Sequence, residues 1–137
     1  MTYRKIDTCI WTDPWVERLT PNAKLAFIYL WTNDYCNQAG FYMISKNRIK
    51  FDLGYCIDIV YDELKTKVEL FPEKDMVWIK NFFRHQCQNS KFAVAALNSL
   101  KKDSFRLKRF IEYNQWIFNG YPELDLSKYF DDNMVSV

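Results

Sequence analysis

The side chains able to do covalent or metal chemistry are few in this chain. There is one histidine, His85, so no histidine pair exists to bind a metal or relay a proton. The four cysteines, Cys9, Cys36, Cys56 and Cys87, stand 27, 20 and 31 positions apart with no C-x-x-C pair. A structural zinc site draws its ligands from close pairs, and His85 with Cys87 has no second pair to complete it. The three glycines, Gly40, Gly54 and Gly120, are too widely spaced to form a phosphate-cradling loop. Asp52 followed by Glu63-Leu64-Lys65 matches the loose D…E-x-K spacing of some metal-dependent nucleases. In those, carboxylates hold Mg²⁺ and the lysine helps to activate water. Glu63 and Lys65 fall on a predicted helix here, whereas an alternating strand would aim both at one metal. No serine lies in a nucleophile-elbow sequence. The sequence is therefore expected to be no enzyme and to use no metal or cofactor.

The charged residues are more informative. Lys and Arg number 19 against 17 Asp and Glu, a net charge of +2. Residues 80–109 hold eight basic side chains against Asp103 alone, a net +7 within 30 residues. The rest of the chain is therefore net −5. The end is acidic, with Glu123, Asp125, Asp131 and Asp132 against Lys128. Such asymmetry points to a polyanion partner or to a self-association surface. A solvated helix face is the plainer reading of the same charges.

Something must position those charges. At 137 residues, 49% hydrophobic and 26% charged, with 3 Gly and 4 Pro, the chain fits one folded domain rather than disorder or low complexity. A chain of this length buries roughly two thirds of its unfolded surface. No apolar run approaches the ~18 residues of a membrane span. Arg4 and Lys5 are followed by Asp7, Asp13, Glu17 and Arg18 rather than by a signal peptide's apolar stretch. A cytoplasmic protein with reduced cysteines and no membrane partner is expected.

Residues 1–12 read as extended. Asp13-Pro14 and Thr20-Pro21 each place a capping side chain before a proline at the first helical position. The helix after Thr20 is apolar nearly all round, so it belongs in the core. Residues 41–44 read as a short strand. Ser45 caps a brief helix that Gly54 ends. A third helix is predicted over residues 56–68, with Ile57, Val60, Tyr61, Leu64 and Val68 facing inward. Two β-prone runs, 68–71 and 76–83, joined by Pro72-Glu73-Lys74-Asp75, signal a hairpin. Asn89 or Ser90 caps one further helix, and Asp103 or Ser104 another that runs through Phe118 to Gly120-Tyr121-Pro122. Beyond it lies a weakly ordered acidic tail.

The order helix, strand, helix, helix, strand, hairpin, strand is that of a winged helix. The predicted fold class is thus α+β and mostly helical: a winged helix-turn-helix over 1–86, two appended basic helices over 87–119, and an acidic tail over 120–137. A helix-turn-helix reads DNA by placing its second helix in the major groove. That helix would expose Asp58, Ile59, Asp62, Glu63, Lys65, Thr66 and Lys67, with more acids than lysines, and Glu63 is spaced to pair with Lys67. Phosphate contacts are therefore expected mainly elsewhere. The candidates are Lys46, Asn47, Arg48 and Lys50 at the start of the helix-turn-helix, with Lys65 and Lys67 at its end. Lys74 stands at the wing tip, and Arg84, Lys101, Lys102, Arg106, Lys108 and Arg109 form the basic part after it. These types give affinity through the phosphate backbone with little sequence reading, Asn47 alone being suited to an adenine edge. The five tryptophans are read mainly as core, with Trp116 the best placed to stack on a base.

Ile10-Trp11-Thr12-Asp13 and the run Leu19-Thr20-Pro21-Asn22-Ala23-Lys24-Leu25-Ala26-Phe27-Ile28-Tyr29-Leu30-Trp31-Thr32-Asn33 resemble the opening of phage replisome-organiser proteins. Those in turn are similar to the N-terminal winged-helix domain of DnaD-type primosome proteins. Ile79-Lys80-Asn81-Phe82-Phe83-Arg84-His85-Gln86, and the Asn89-Ser90-Lys91 lead into a basic helix, resemble the same family. The likeness covers roughly residues 6–115. It implies DNA binding in phage-like replication initiation, self-association, and contact with host replication proteins. Two other functions fit the same fold: an interaction module or inhibitor that touches no DNA, and a phage-type transcriptional regulator.

Overall fold

The structure is a computed structural model that describes residues 2–129. It is an α+β fold, mostly helical, with one three-stranded antiparallel sheet among the described residues. The strands are β1 (Phe41–Met43), β2 (Val68–Phe71) and β3 (Met76–Ile79), in the spatial order β1-β3-β2. Phe41 lies opposite Trp78, and Val68 opposite Ile79.

Most helices start where the sequence marks them. Asp13 caps α1 (Pro14–Glu17) by accepting from the amides of Trp15 and Val16. Thr20 caps α2 (Pro21–Thr32), and Ser45 caps α3 (Lys46–Leu53). Each supplies an acceptor to an otherwise unpaired first-turn N–H. Gly54 ends α3 in the left-handed region at φ 85°. Asn89 caps α6 (Ser90–Leu100) and Asp103 caps α7 (Ser104–Tyr113).

Several expectations are corrected. Residues 8–12 form a 3-10 turn, Thr8–Thr12, rather than an extended segment, because the Asp7 carboxylate accepts from the Cys9 amide. The helix expected over 56–68 is broken in two. A 3-10 turn, Ile57–Ile59, is followed by the single turn α4 (Tyr61–Leu64), with Val60 between them at φ −115°. Neither piece has a side-chain cap, and Ile57, Ile59 and Val60 are β-branched, which disfavours a continuous helix. Glu63 does not pair with Lys67. It accepts instead from the Thr20 amide at 2.7 Å and the Thr20 hydroxyl at 2.8 Å. The second β-prone run stops at Ile79, and Phe82 opens α5 (Phe82–Gln86). The last long helix stops at Tyr113. Asn114 (φ −104°), buried and donating to the Phe110 carbonyl, separates it from α8 (Gln115–Phe118). The segment 87–119 therefore holds three α-helices rather than two. Tyr121, Leu124, Leu126 and Tyr129 of the acidic segment pack on the core. Asp131 and Asp132 lie outside the described residues.

The sheet separates two cores. Tyr42, Val77 and Ile79 join α2, α3 and α4 on one face. Phe41, Met76 and Trp78 join α6, α7 and α8 on the other. Every residue of β3 is buried, as expected of a central strand covered on both faces. Consecutive residues Phe82 and Phe83 go to different cores, so α5 ties the two layers together. On the second face Phe41 stacks on Trp78 at 4.7 Å with the planes 7° apart, and Phe83 meets Phe110 edge-on at 4.9 Å. Pairs of this kind contribute about 0.5–1.5 kcal/mol each beyond area burial.

Gly40 turns into β1 at φ 69°, and a Cβ there would collide with the Phe82 side chain. Gly54 has similar geometry but open space around it. Gly54→Ala should therefore cost about 1 kcal/mol, the left-handed penalty alone. Gly40→Ala should cost at least about 3 kcal/mol, since overpacking adds to that penalty. Urea denaturation of the two variants measures the difference.

Candidate functional site

The candidate basic side chains form two groups, with Arg106 and Arg84 outside them. On α3, Lys46 pairs with Asp58 at 2.6 Å, and Arg48 pairs with Asp52 at 2.9 Å across one turn. The Arg48 guanidinium also lies 5.2 Å from the Phe51 ring centroid. Asp52 additionally accepts from the Tyr29 hydroxyl, and that bond, with Arg48, keeps its carboxyl below the usual range. Asp58 is lowered likewise, by its bond to Lys46. Asn47 and Lys50 are exposed. After α4, Lys65 lies 3.5 Å from Asp62, and the Lys67 ammonium sits 4.9 Å from the Trp15 ring. Three of the five basic side chains of this first group are thus paired with a carboxylate locally.

The second group gathers where the hairpin meets α7. Lys74, in the β2–β3 turn, places its ammonium 4.7 Å from the Phe105 ring centroid. Arg109 places its guanidinium 3.6 Å from the same centroid and donates to the Phe105 carbonyl at 3.0 Å. Phe105 also meets Phe71 edge-on at 5.5 Å, which fixes the ring against the end of β2. Two cations 35 positions apart in sequence are thereby held on one aromatic ring, an arrangement worth about 0.5–2 kcal/mol per cation. Lys101 and Lys102, in the α6–α7 turn, are exposed, and Lys108 is partly so. Asp103 between them caps α7.

Arg106 is different. Its side chain is 13% exposed, with Nε 2.7 Å from Asp103 and Nη1 donating to the Phe41 carbonyl at 3.1 Å. The guanidinium is engaged inside the fold, tying α7 to β1. Arg84, on α5, is exposed and stands apart from both groups.

A cavity of about 470 Å³ lies beneath the N-terminal arm, on the side of the first core. The arm is held by Gln86, whose amide both accepts from the Lys5 N–H at 3.1 Å and donates to the Lys5 carbonyl at 2.6 Å. The Trp31 indole N–H donates to that same carbonyl at 2.8 Å. Trp15, Phe27, Trp31 and Ile79 supply apolar wall, while Lys67 and His85 bring nitrogen to it. Partial burial, with Arg84 and Lys67 nearby, holds His85 below the ordinary histidine pKa, against the opposing pull of Asp7 and Asp13. Cys9 lines the same cavity, but its bond with Asp7 pushes the thiol pKa up, the opposite of what a nucleophilic thiolate requires. Among the described residues no group of three or more His, Cys, Asp or Glu could hold a metal ion. No helix among them is long and apolar enough to cross a membrane.

The cavity was not legible in the sequence, because the arm that roofs it reads as a plain extended segment. The Phe105 cluster was half legible: Phe105 and Arg109 are one helical turn apart, but nothing local announces Lys74 and Phe71. No family model, curated protein or solved structure matches this chain, so the surface is read from its own geometry.

These placements have measurable consequences for stability. Arg106→Met should lower it by about 1–3 kcal/mol, since the change orphans the Asp103 carboxylate and the Phe41 carbonyl. Lys102→Met should stay within about 0.5 kcal/mol, and urea titration distinguishes them. His85 also makes stability depend on pH. Its folded pKa lies below the unfolded value of 6.5, so the unfolded chain protonates first as pH falls. Stability is fully present above 6.5 and is lost as pH drops towards the folded pKa. Thermal unfolding should show a lower midpoint at about pH 5.5 than at about 7.5 in the wild type, and His85→Gln should flatten that difference.

Proposed function

We propose that this chain is a winged-helix DNA-binding protein of the replisome-organiser type, acting in phage-like replication initiation. On this reading α2, α3 and α4 are the three helices, β2 and β3 the wing, and α6 to α8 an extension behind the wing. The single observation that carries it is the convergence of Lys74 and Arg109 on Phe105. It joins the wing tip to the most basic part of the chain through one aromatic ring. Lys101 and Lys102 add exposed charge at the start of that helix. The mode is phosphate contact with little base reading, because the α4 region offers Asp58 and Asp62 beside Lys65. Contact with host replication proteins and self-association belong to the same proposal.

One observation favours a second reading, an interaction module that does not touch DNA. Phe51 is 77% exposed and Ile59 71% exposed on the α3–α4 unit, where a DNA-reading surface would be polar.

Fluorescence anisotropy with labelled duplex and single-stranded DNA, at about 50 and 200 mM salt, separates the two. Duplex binding should weaken steeply with salt. Replacing Lys74, Lys101, Lys102 and Arg109 by Gln should reduce the log–log salt slope by about 0.9 for each phosphate no longer neutralised. Absence of binding at low salt, or an unchanged slope in that variant, would transfer the assignment to the interaction module. Replacing Phe51 and Ile59 by Ser should leave DNA affinity unaltered if the basic face is the binding surface.

A further inference from the structure

The cavity under the N-terminal arm has the size of a small-molecule site, which typically spans about 300–1,000 Å³. It does not depend on the DNA-binding reading. Its wall is mainly apolar and aromatic, from Trp15, Phe27, Trp31 and Ile79, so an occupant needs a flat apolar body. The polar groups on the wall decide the rest. Asp13 accepts from the amides of Trp15 at 2.8 Å and Val16 at 3.3 Å, and Asp7 accepts from the Cys9 amide at 2.8 Å. Both carboxylates are therefore already engaged in holding the turns of the arm. Lys67 is engaged differently. Among the described residues it forms no ion pair, and its ammonium rests over the Trp15 ring, on the cavity wall. Asn81 lines the cavity too, and its carboxamide oxygen accepts from Tyr113, leaving the NH₂ as a donor.

We propose that this cavity binds a small aromatic carboxylate, its ring against the wall formed by Trp15, Phe27 and Trp31 and its carboxylate on the Lys67 ammonium. A charge-assisted hydrogen bond of that kind, made in a partly dehydrated site, discriminates strongly against a neutral or cationic analogue. The cavity volume of about 470 Å³ accommodates a bicyclic acid. Binding would also take the positive charge of Lys67 out of the surface field.

The test uses the full chain with 1-naphthoate, 1-naphthamide and 1-naphthylmethylammonium as probes, read by tryptophan fluorescence and calorimetry. The carboxylate should saturate at submillimolar concentration and bind about tenfold or more tighter than the amide, the equivalent of one charge-assisted hydrogen bond. Lys67→Met replaces the ammonium over the Trp15 ring with an uncharged side chain of similar length. It should abolish the preference for the carboxylate while leaving amide binding unaltered, with a small fall in the thermal midpoint from the lost cation–π contact. Lys101→Met, outside the cavity, should change nothing and so controls for general charge. Equal affinity for the three probes, no saturable binding at millimolar concentration, or an undiminished carboxylate preference in Lys67→Met would each overturn the proposal.

Discussion

The structure depends on one strand being buried on both sides. β3 has four residues, and the two-residue period of a strand sends Met76 and Trp78 one way and Val77 and Ile79 the other. Both directions are apolar, so β3 needs a helical layer on each face. It also needs a paired strand on each edge, because its backbone groups have no access to water. β1 and β2 meet the second requirement, and helices from the two halves of the chain meet the first. A polar side chain at Val77 or Trp78 would disturb one whole layer rather than a local contact. The chain stays antiparallel and short-stranded because a four-residue turn closes β2 onto β3, with Asp75 in the left-handed region at φ 51°.

The sequence is legible wherever the determinant is local. Asp13-Pro14, Thr20-Pro21, Ser45, Asn89 and Asp103 each cap a helix through a bond within three residues, and each is visible as a residue type in the right place. It is less legible where two local signals compete. Ile57, Val60, Tyr61 and Leu64 have helical spacing, yet β-branching and the missing cap break the segment at Val60. The inward positions survive the break, because Ile57, Val60 and Leu64 remain buried. Periodicity therefore reported burial correctly and continuity wrongly.

The charged residues show the same division more sharply. Sequence spacing treats Arg106 and Arg109 alike, as two basic residues on one helix. In the structure one is held by Asp103 and the Phe41 carbonyl, and the other, exposed, lies over the partly buried Phe105 ring. The difference comes from β1, 65 positions from Arg106 in the chain, which supplies a carbonyl to one side of α7 only. A net charge of +7 over residues 80–109 is thus an upper bound on what the surface presents. Lys80 is drawn towards Glu69, and Arg106 is internal. Of the rest, Lys101 and Lys102 are exposed in the α6–α7 turn and Arg109 on α7, while Arg84 and Lys91 are exposed elsewhere.

The N-terminal arm follows a different rule from the two cores. Its 3-10 turn, Thr8–Thr12, contains no fully buried residue, and only Ile10 of it packs, partly buried, against the first core. It is held by hydrogen bonds at Lys5 and by the Trp15 indole N–H donating to Thr66 at 3.0 Å. Segments with little buried apolar surface open at a fraction of the global unfolding free energy. The cavity therefore has a floor made by α2 and β3 beneath a roof held mainly by hydrogen bonds from Gln86 and Trp31. Gln86 is the joint between the two regimes: it is buried on α5 beside Phe82 and Phe83, and its amide carries the arm. One side chain thus connects the roof of the cavity to the helix whose Phe82 and Phe83 enter both cores.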